Sequence, residues 1–189
     1  KKYEKKCFSI EYPYQKFSEK DARDFRYSVF TNIIKEHNYQ SLITAHQLND
    51  KLEWFLMQLS KGAGLNELIG LVSVENRENY TLYRPLLDSS KEELQNYLDN
   101  HHHKYFIDET NSDIKYKRNF FRHEFSDKFI KLYQDGVKKS FHYLEKDIQS
   151  LLNQYTQISF EELTVFSFKN YDENSAIRII DQELKKREL

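Results

Sequence analysis

Polar and apolar residues alternate from Lys6 to Tyr12, the period of a strand with one buried face, and Pro13 stops the run. Between Ser18 and Glu36 the period lengthens. Phe25, Val29 and Ile33 recur at helical spacing, Ser18 suits an N-cap and Asp21 follows three residues on, so a helix is predicted. Ser41 to Ala45 is short and apolar, a buried strand. Leu48 to Ser60 returns to the helical period with Leu52, Phe55, Leu56 and Leu59 inward, and Lys61-Gly62-Ala63-Gly64 ends it. Tyr80 to Arg84 predicts a strand running into Pro85. Ser89 or Ser90 caps a further helix, with Glu92 and Glu93 in its first turn and an end near His101. Lys104 to Ile107 reads as a short extended piece and Asp108 to Asp113 as a polar turn. Asn119 to about Tyr155 predicts helix, with a break near Asp135-Gly136. Ile158 to Phe168 is ambiguous. Glu173 to Lys186 is a final amphipathic helix carrying Ile177, Ile180 and Leu184.

Strand and helix alternate in the first half, the pattern of an α/β fold on a parallel sheet. The second half reads as helix throughout. The expected organisation is therefore an α/β domain over residues 1–125 and a helical region over 126–189. No internal repeat and no low-complexity linker interrupts the chain.

Composition narrows the class. Of 189 residues 39% are hydrophobic and 31% charged, a globular chain with enough apolar material for a core. Four glycines and two prolines leave little room for tight turns and favour helices. Fourteen Tyr and fourteen Phe suit base stacking on RNA, but a compositional lean toward Lys, Asn, Tyr and Ile accounts for them more simply. The single cysteine, Cys7, excludes an internal disulfide and any multi-cysteine zinc or iron–sulfur site, and fits a reducing, cytoplasmic setting. No long apolar run, signal peptide or lipidation motif is seen, so no membrane segment is expected. Net charge is −1, but unevenly spread. From Ile114 to Lys146 nine basic residues face four acidic ones, a candidate polyanion surface or an ordinary solvated helix face.

The candidate chemistry centres on Thr44-Ala45-His46-Gln47-Leu48-Asn49-Asp50-Lys51-Leu52-Glu53. A strand leading into an acidic first helical turn is where open α/β sheets bind ligands. With the helix starting near Leu48, Asp50 and Glu53 share one face. They suit a hard cation such as Mg²⁺ beside a nucleotide, or simply oppose the helix dipole. A zinc site with His46 lacks a second histidine at ligand spacing. Lys61-Gly62-Ala63-Gly64 offers backbone N–H groups to an anion, or a glycine C-cap. Arg23 and Arg26, three apart, clamp phosphate or pair with Glu19 and Asp24. Arg84 ends a strand. Arg118, Asn119 and Arg122 share one face at a helix start, a setting suited to phosphate or carboxylate. His101-His102-His103 points in three directions and reads as a solvated helix end. Asp108, Thr110, Asn111 and Asp113 lack the glycine and distal glutamate of a calcium loop and read as an Asx-rich turn.

Taken in order, these blocks resemble the tRNA(Ile)-lysidine synthetase family of N-type ATP-pyrophosphatases. The blocks are Ala22 to Tyr27, Thr44 to Trp54, Lys61 to Leu71, Arg84 to Leu87 and Asp108 to Arg122, covering about residues 19–124. Gln47, Asn49, Trp54 and Lys61 depart from the family's His, Asp, Thr and Arg. The resemblance implies a parallel-sheet, Rossmann-like PP-loop domain. It also implies ligation of lysine to C2 of the wobble cytidine of a CAU-anticodon isoleucine tRNA, through an adenylated tRNA. ATP, Mg²⁺, free lysine and that tRNA are the implied cofactors and partners, and a homodimer is an allowed assembly. His46, Asp50 and Glu53 would be catalytic, with Asp50 and Glu53 on Mg²⁺ or the lysine amine. Arg23, Arg26, Lys61, Gly62 and Gly64 would hold ATP. Arg84, Asp108, Asn111, Arg118, Asn119 and Arg122 would hold lysine or tRNA.

Rival readings are a tRNA thiolase of the same superfamily, which the lone Cys7 disfavours, and a non-catalytic helical RNA-binding module. The family's Ser-Gly-Gly-x-Asp-Ser cradle is not found, so the chain is expected to be a fragment, incomplete at its N-terminus and inactive alone. ATP-dependent transfer of lysine to tRNA by the isolated 189-residue chain would overturn that expectation.

Overall fold

The computed structural model describes residues 5–13, 18–106, 117–152, 155–160, 163–168 and 173–186. The chain forms two compact units interleaved along its length, one from Lys1–Thr44 and Val74–Tyr83, the other from Ala45–Ser73 and Arg84–Leu189.

In the first unit, helix α1 (Glu19–His37) starts where the Ser18 side chain accepts the Asp21 N–H at 3.1 Å, and it stops at Asn38, which adopts the left-handed conformation at φ 53°. The strands are β1 (Ser41–Ile43), β2 (Val74–Asn76) and β3 (Thr81–Tyr83), in the order β1-β3-β2. β1 runs parallel to β3, with Leu42 opposite Leu82. β2 runs antiparallel to β3, with Glu75 opposite Leu82. The sheet is thus mixed where a parallel one was expected. Only four residues join β2 to β3, too few for a crossover, so the pair closes as a hairpin. Ile34, Tyr80 and Leu82 form the unit's core, with Tyr27 and Leu42 against them. The Arg77 guanidinium lies 4.6 Å from the Tyr27 ring centre and pairs with Glu75 at 2.8 Å.

The strand expected from Lys6 to Tyr12 does not form. Phe8 sits 5.1 Å from the His37 ring and Tyr12 meets Phe25 edge-on at 5.2 Å. The alternating side chains are spent on packing against α1, and the backbone enters no ladder.

The second unit carries α2 (Leu48–Leu59), α3 (Leu65–Ile69), α4 (Lys91–Asn100), α5 (Lys117–Phe121), a π-helical turn (Arg122–Ser126) and α6 (Asp127–Leu152). The strands β4 (Tyr155–Phe160) and β5 (Leu163–Phe168) follow, then α7 (Glu173–Lys186). Leu48 and Leu52 of α2 pack on Ile130, Val137 and Phe141 of α6, with Phe55 edge-on to Phe141 at 5.6 Å. Ser90 starts α4 through a capping box: Glu93 N–H donates to its hydroxyl at 3.2 Å and its own N–H donates to Glu93 Oε2 at 2.7 Å.

Two expectations change here. The C-terminal part is not all helix, because β4 and β5 pair antiparallel from Tyr155↔Phe168 to Phe160↔Leu163. β-branched and aromatic residues (Ile158, Phe160, Val165, Phe166) favour the extended form. The break in the long helix falls at Tyr133 (φ −135°, ψ 29°), two residues before the expected Asp135-Gly136. Helix continues without interruption through residues 125 and 126.

Trp54 is locked by its indole N–H donating to the Glu67 carbonyl at 2.8 Å. A methyl group on Gly70 would lie 2.3 Å from Trp54 Nε1. Gly70→Ala is therefore expected to cost about 1–3 kcal/mol, as overpacking does. In a Trp54→Ala background the added cost should largely vanish. Urea unfolding of the four proteins checks this.

Candidate active site

Helix α2 takes its start from a hydrogen bond at its first turn. The Gln47 N–H donates to Asp50 Oδ2 at 3.1 Å, which fixes Asp50 in the third helical position and leaves Oδ1 for other partners. Glu53 follows three residues on. Both carboxylates meet the arginines at the start of the last long helical run. Asp50 Oδ1 accepts from Arg118 Nη2 at 3.3 Å and Arg122 Nη2 at 3.2 Å. Glu53 Oε2 accepts from Arg122 Nε at 2.8 Å, and Glu53 Oε1 accepts from Arg118 Nε. Two carboxylates and two guanidiniums thus form one network with no net formal charge.

Exposure is graded across it. The Glu53 side chain is 2% exposed and the Arg118 side chain 42%, so solvent reaches the network at Arg118. Burial pushes the Glu53 carboxyl above its ordinary value, against the opposing pull of Arg118 and Arg122 and with a smaller upward push from Asp50.

Polar contacts on neighbouring positions tie α2 to the other helices. Asn49 donates to Asp127 Oδ1 at 2.6 Å and accepts from the Lys91 N–H at 3.0 Å. The buried Lys51 donates to Glu145 Oε1 at 2.5 Å, with its ammonium 4.7 Å from the Phe141 ring centre. Neither contact was read from the sequence. A buried lysine in an amphipathic helix was the available signal, but its partner lies 94 residues away.

The other candidate residues are distributed as follows. His46 is half-buried just before α2. Lys61 is exposed and Gly62 adopts φ 75°, a conformation open to glycine, while Gly64 caps α3. Arg84 is buried and donates from Nη1 to the Val72 carbonyl at 2.9 Å. Asn119 is buried. Arg23 and Arg26 are exposed on α1, in the first unit, whereas Lys61, Gly62 and Gly64 belong to the second. Asp108 and Asn111 lie outside the described residues.

The donor set does not fit a resident Mg²⁺ ion at Asp50 and Glu53. All four carboxylate oxygens accept from the chain's own N–H groups, so they are filled by hydrogen-bond donors and leave no oxygen for a resident hard ion. Among the described residues no group of three His, Cys, Asp or Glu side chains assembles that would hold a metal. No described helix is long and apolar enough to cross a membrane.

Residues 5–129 match the model of the PP-loop domain, and the chain belongs to that family. More particularly, it is 49% identical over 151 residues to a tRNA(Ile)-lysidine synthase of Campylobacter jejuni (strain RM1221), an overlap covering 79% of this chain and 47% of that protein. The tRNA(Ile)-lysidine synthase of Helicobacter pylori (strain J99 / ATCC 700824) is 42% identical over 89% of this chain and 48% of its own length. That of strain ATCC 700392 / 26695 is 39% identical over 99% and 54%. The chain spans about half the length of the curated relatives it matches.

Because folding raises the Glu53 pKa, the folded state binds this proton more tightly than the unfolded chain. The group's contribution to stability is fully present below the ordinary carboxylate value and is lost as pH rises through the raised one. Glu53→Gln, which mimics the protonated acid, removes that decline. Its stability relative to the parent is expected to increase as pH rises through this window, as read by urea unfolding at stepped pH.

Proposed function

We propose that the protein carrying this chain ligates lysine to C2 of the wobble cytidine of a CAU-anticodon isoleucine tRNA, using ATP. The observation that carries this reading is the mixed-charge network of Asp50, Glu53, Arg118 and Arg122. Free lysine is a zwitterion with a second cation. It needs carboxylates for its ε-ammonium and a guanidinium for its α-carboxylate, and this network offers both once the exposed Arg118 turns from Asp50 and Glu53 to the α-carboxylate and yields its place to the ε-ammonium, one N–H donor exchanged for another. Its relatives named tRNA(Ile)-lysidine synthase support the same reading.

In the reaction, the C2 carbonyl oxygen of cytidine attacks the α-phosphate of ATP and pyrophosphate leaves. The lysine ε-nitrogen then attacks C2, and the C2–O bond breaks as AMP departs. Asp50 and Glu53 hold the ε-ammonium and accept its proton as the nitrogen lone pair turns to C2. The raised Glu53 pKa favours that acceptance. Arg118, the most exposed member, takes the lysine α-carboxylate, and Arg122 holds Glu53 in orientation. His46 positions ATP or the cytidine. Lys61, Gly62 and Gly64 form a phosphate-binding turn. Arg84 acts through the Val72 carbonyl as a positioning residue. Mg²⁺ would supply charge neutralisation for the phosphates of ATP. The lone Cys7 offers no cysteine pair for thiolation.

The test follows labelled lysine into CAU-anticodon isoleucine tRNA with the full-length gene product. Incorporation should require ATP, and Asp50→Ala should lower kcat/KM at least about 100-fold while the protein stays folded by circular dichroism. Tight tRNA binding without incorporation would overturn the proposal in favour of thiolation or passive RNA binding.

A further inference from the structure

We infer that Asn49 is a positioning residue that aims Asp50 and Glu53, through a clasp with Asp127 and the start of α4 that requires an amide. This rests on the lysine-binding role proposed for those carboxylates.

Asn49 is 6% exposed, and both ends of its amide are engaged. Nδ2 donates to Asp127 Oδ1 at 2.6 Å, and Oδ1 accepts at 3.0 Å from the N–H of Lys91. Lys91 is the first residue of α4, so its N–H is one of the donors that a helix leaves without a partner of its own. Only an amide supplies a donor at one end and an acceptor at the other in this volume. Aspartate would satisfy Lys91 but set a second carboxylate against Asp127. Leucine would strand both partners in a buried place.

The π-helical turn makes this clasp part of the site. Asp127 lies five residues after Arg122. In a regular α-helix, five residues turn the chain by about 140° from the starting direction. Here the Asp127 N–H donates to the Arg122 carbonyl, the i→i+5 bond of a π turn, and that wider turn swings Asp127 back toward the side that carries Arg122. Arg122 therefore reaches Asp50 and Glu53 while Asp127 reaches Asn49, all on the first turns of α2. The amide at 49 and the carboxylates at 50 and 53 are held from one short stretch of backbone. A rotation of α2 that loosened Asn49 would carry Asp50 and Glu53 away from Arg118 and Arg122.

The experiment measures lysine ligation by the full-length gene product with lysine varied at saturating tRNA and ATP. Asn49→Asp is expected to raise the lysine KM about tenfold with the tRNA KM unchanged, since only the aim of the amine-binding carboxylates moves. Adding Asp127→Asn rebuilds the same bond with donor and acceptor exchanged, and should return the lysine KM to within about twofold of the parent. A merely structural role would lower the active fraction, and so kcat, without moving the lysine KM. A folded Asn49→Asp protein with the parental lysine KM, or one that Asp127→Asn does not rescue, overturns the inference. If Asn49→Asp does not fold, Asn49→Ser is measured in its place with the same expected rise in lysine KM, and a parental KM overturns the inference equally. A parent protein that ligates no lysine overturns the proposed function and the positioning role that depends on it. The clasp is then judged by melting temperature, where recovery in the double variant supports it and additive losses overturn it.

Discussion

The pairing of two carboxylates on α2 with two guanidiniums 65 to 72 residues later is the interaction on which the second unit is organised. It joins the start of one helix, α2, to the start of another, α5. A carboxylate as buried as Glu53 is tolerable only with partners, and Arg118 and Arg122 supply them, each donating Nε to Glu53 and Nη2 to Asp50 and so bridging the two carboxylates. The partners do not fully offset burial, since the Glu53 carboxyl still sits above its ordinary value.

The apolar core and the polar contacts do different work along α2. Leu48 and Leu52 bury against Ile130, Val137 and Phe141 and bring α2 and α6 together. Apolar packing has little directional preference, so it leaves the rotation of α2 loosely set. Asn49 with Asp127, and Lys51 with Glu145, remove that freedom because hydrogen bonds fail at the wrong angle. The π-helical turn from Arg122 to Ser126 sets the phase, so that Arg122 and Asp127 both serve the start of α2.

Much of this was legible in the chain. The helices at Glu19–His37, Leu48–Leu59, Lys91–Asn100 and Glu173–Lys186 follow from caps and apolar spacing, which are local signals. The shared face of Asp50 and Glu53 follows from helical periodicity alone, and the pair of arginines four residues apart was equally plain. What failed were judgements of context. The alternation at Lys6 to Tyr12 is a strand pattern, but Phe8 and Tyr12 found aromatic partners on and beside α1 instead of a neighbouring strand. The hairpin of β4 and β5 was ambiguous because each strand is stable only against the other.

Local spacing settles where most helices start and stop, which residues are apolar on each, and that carboxylates and arginines stand in ordered blocks resembling one family. Those properties depend on neighbours a few residues apart. Tertiary structure alone decided that Asp50 and Glu53 face Arg118 and Arg122, that all four of their oxygens accept from N–H donors of the chain, and that Asn49 is clasped by Asp127. It also decided the mixed order of the three-stranded sheet. Each of these joins groups distant in sequence, and their meeting depends on how helices rotate and pack, which no local spacing encodes.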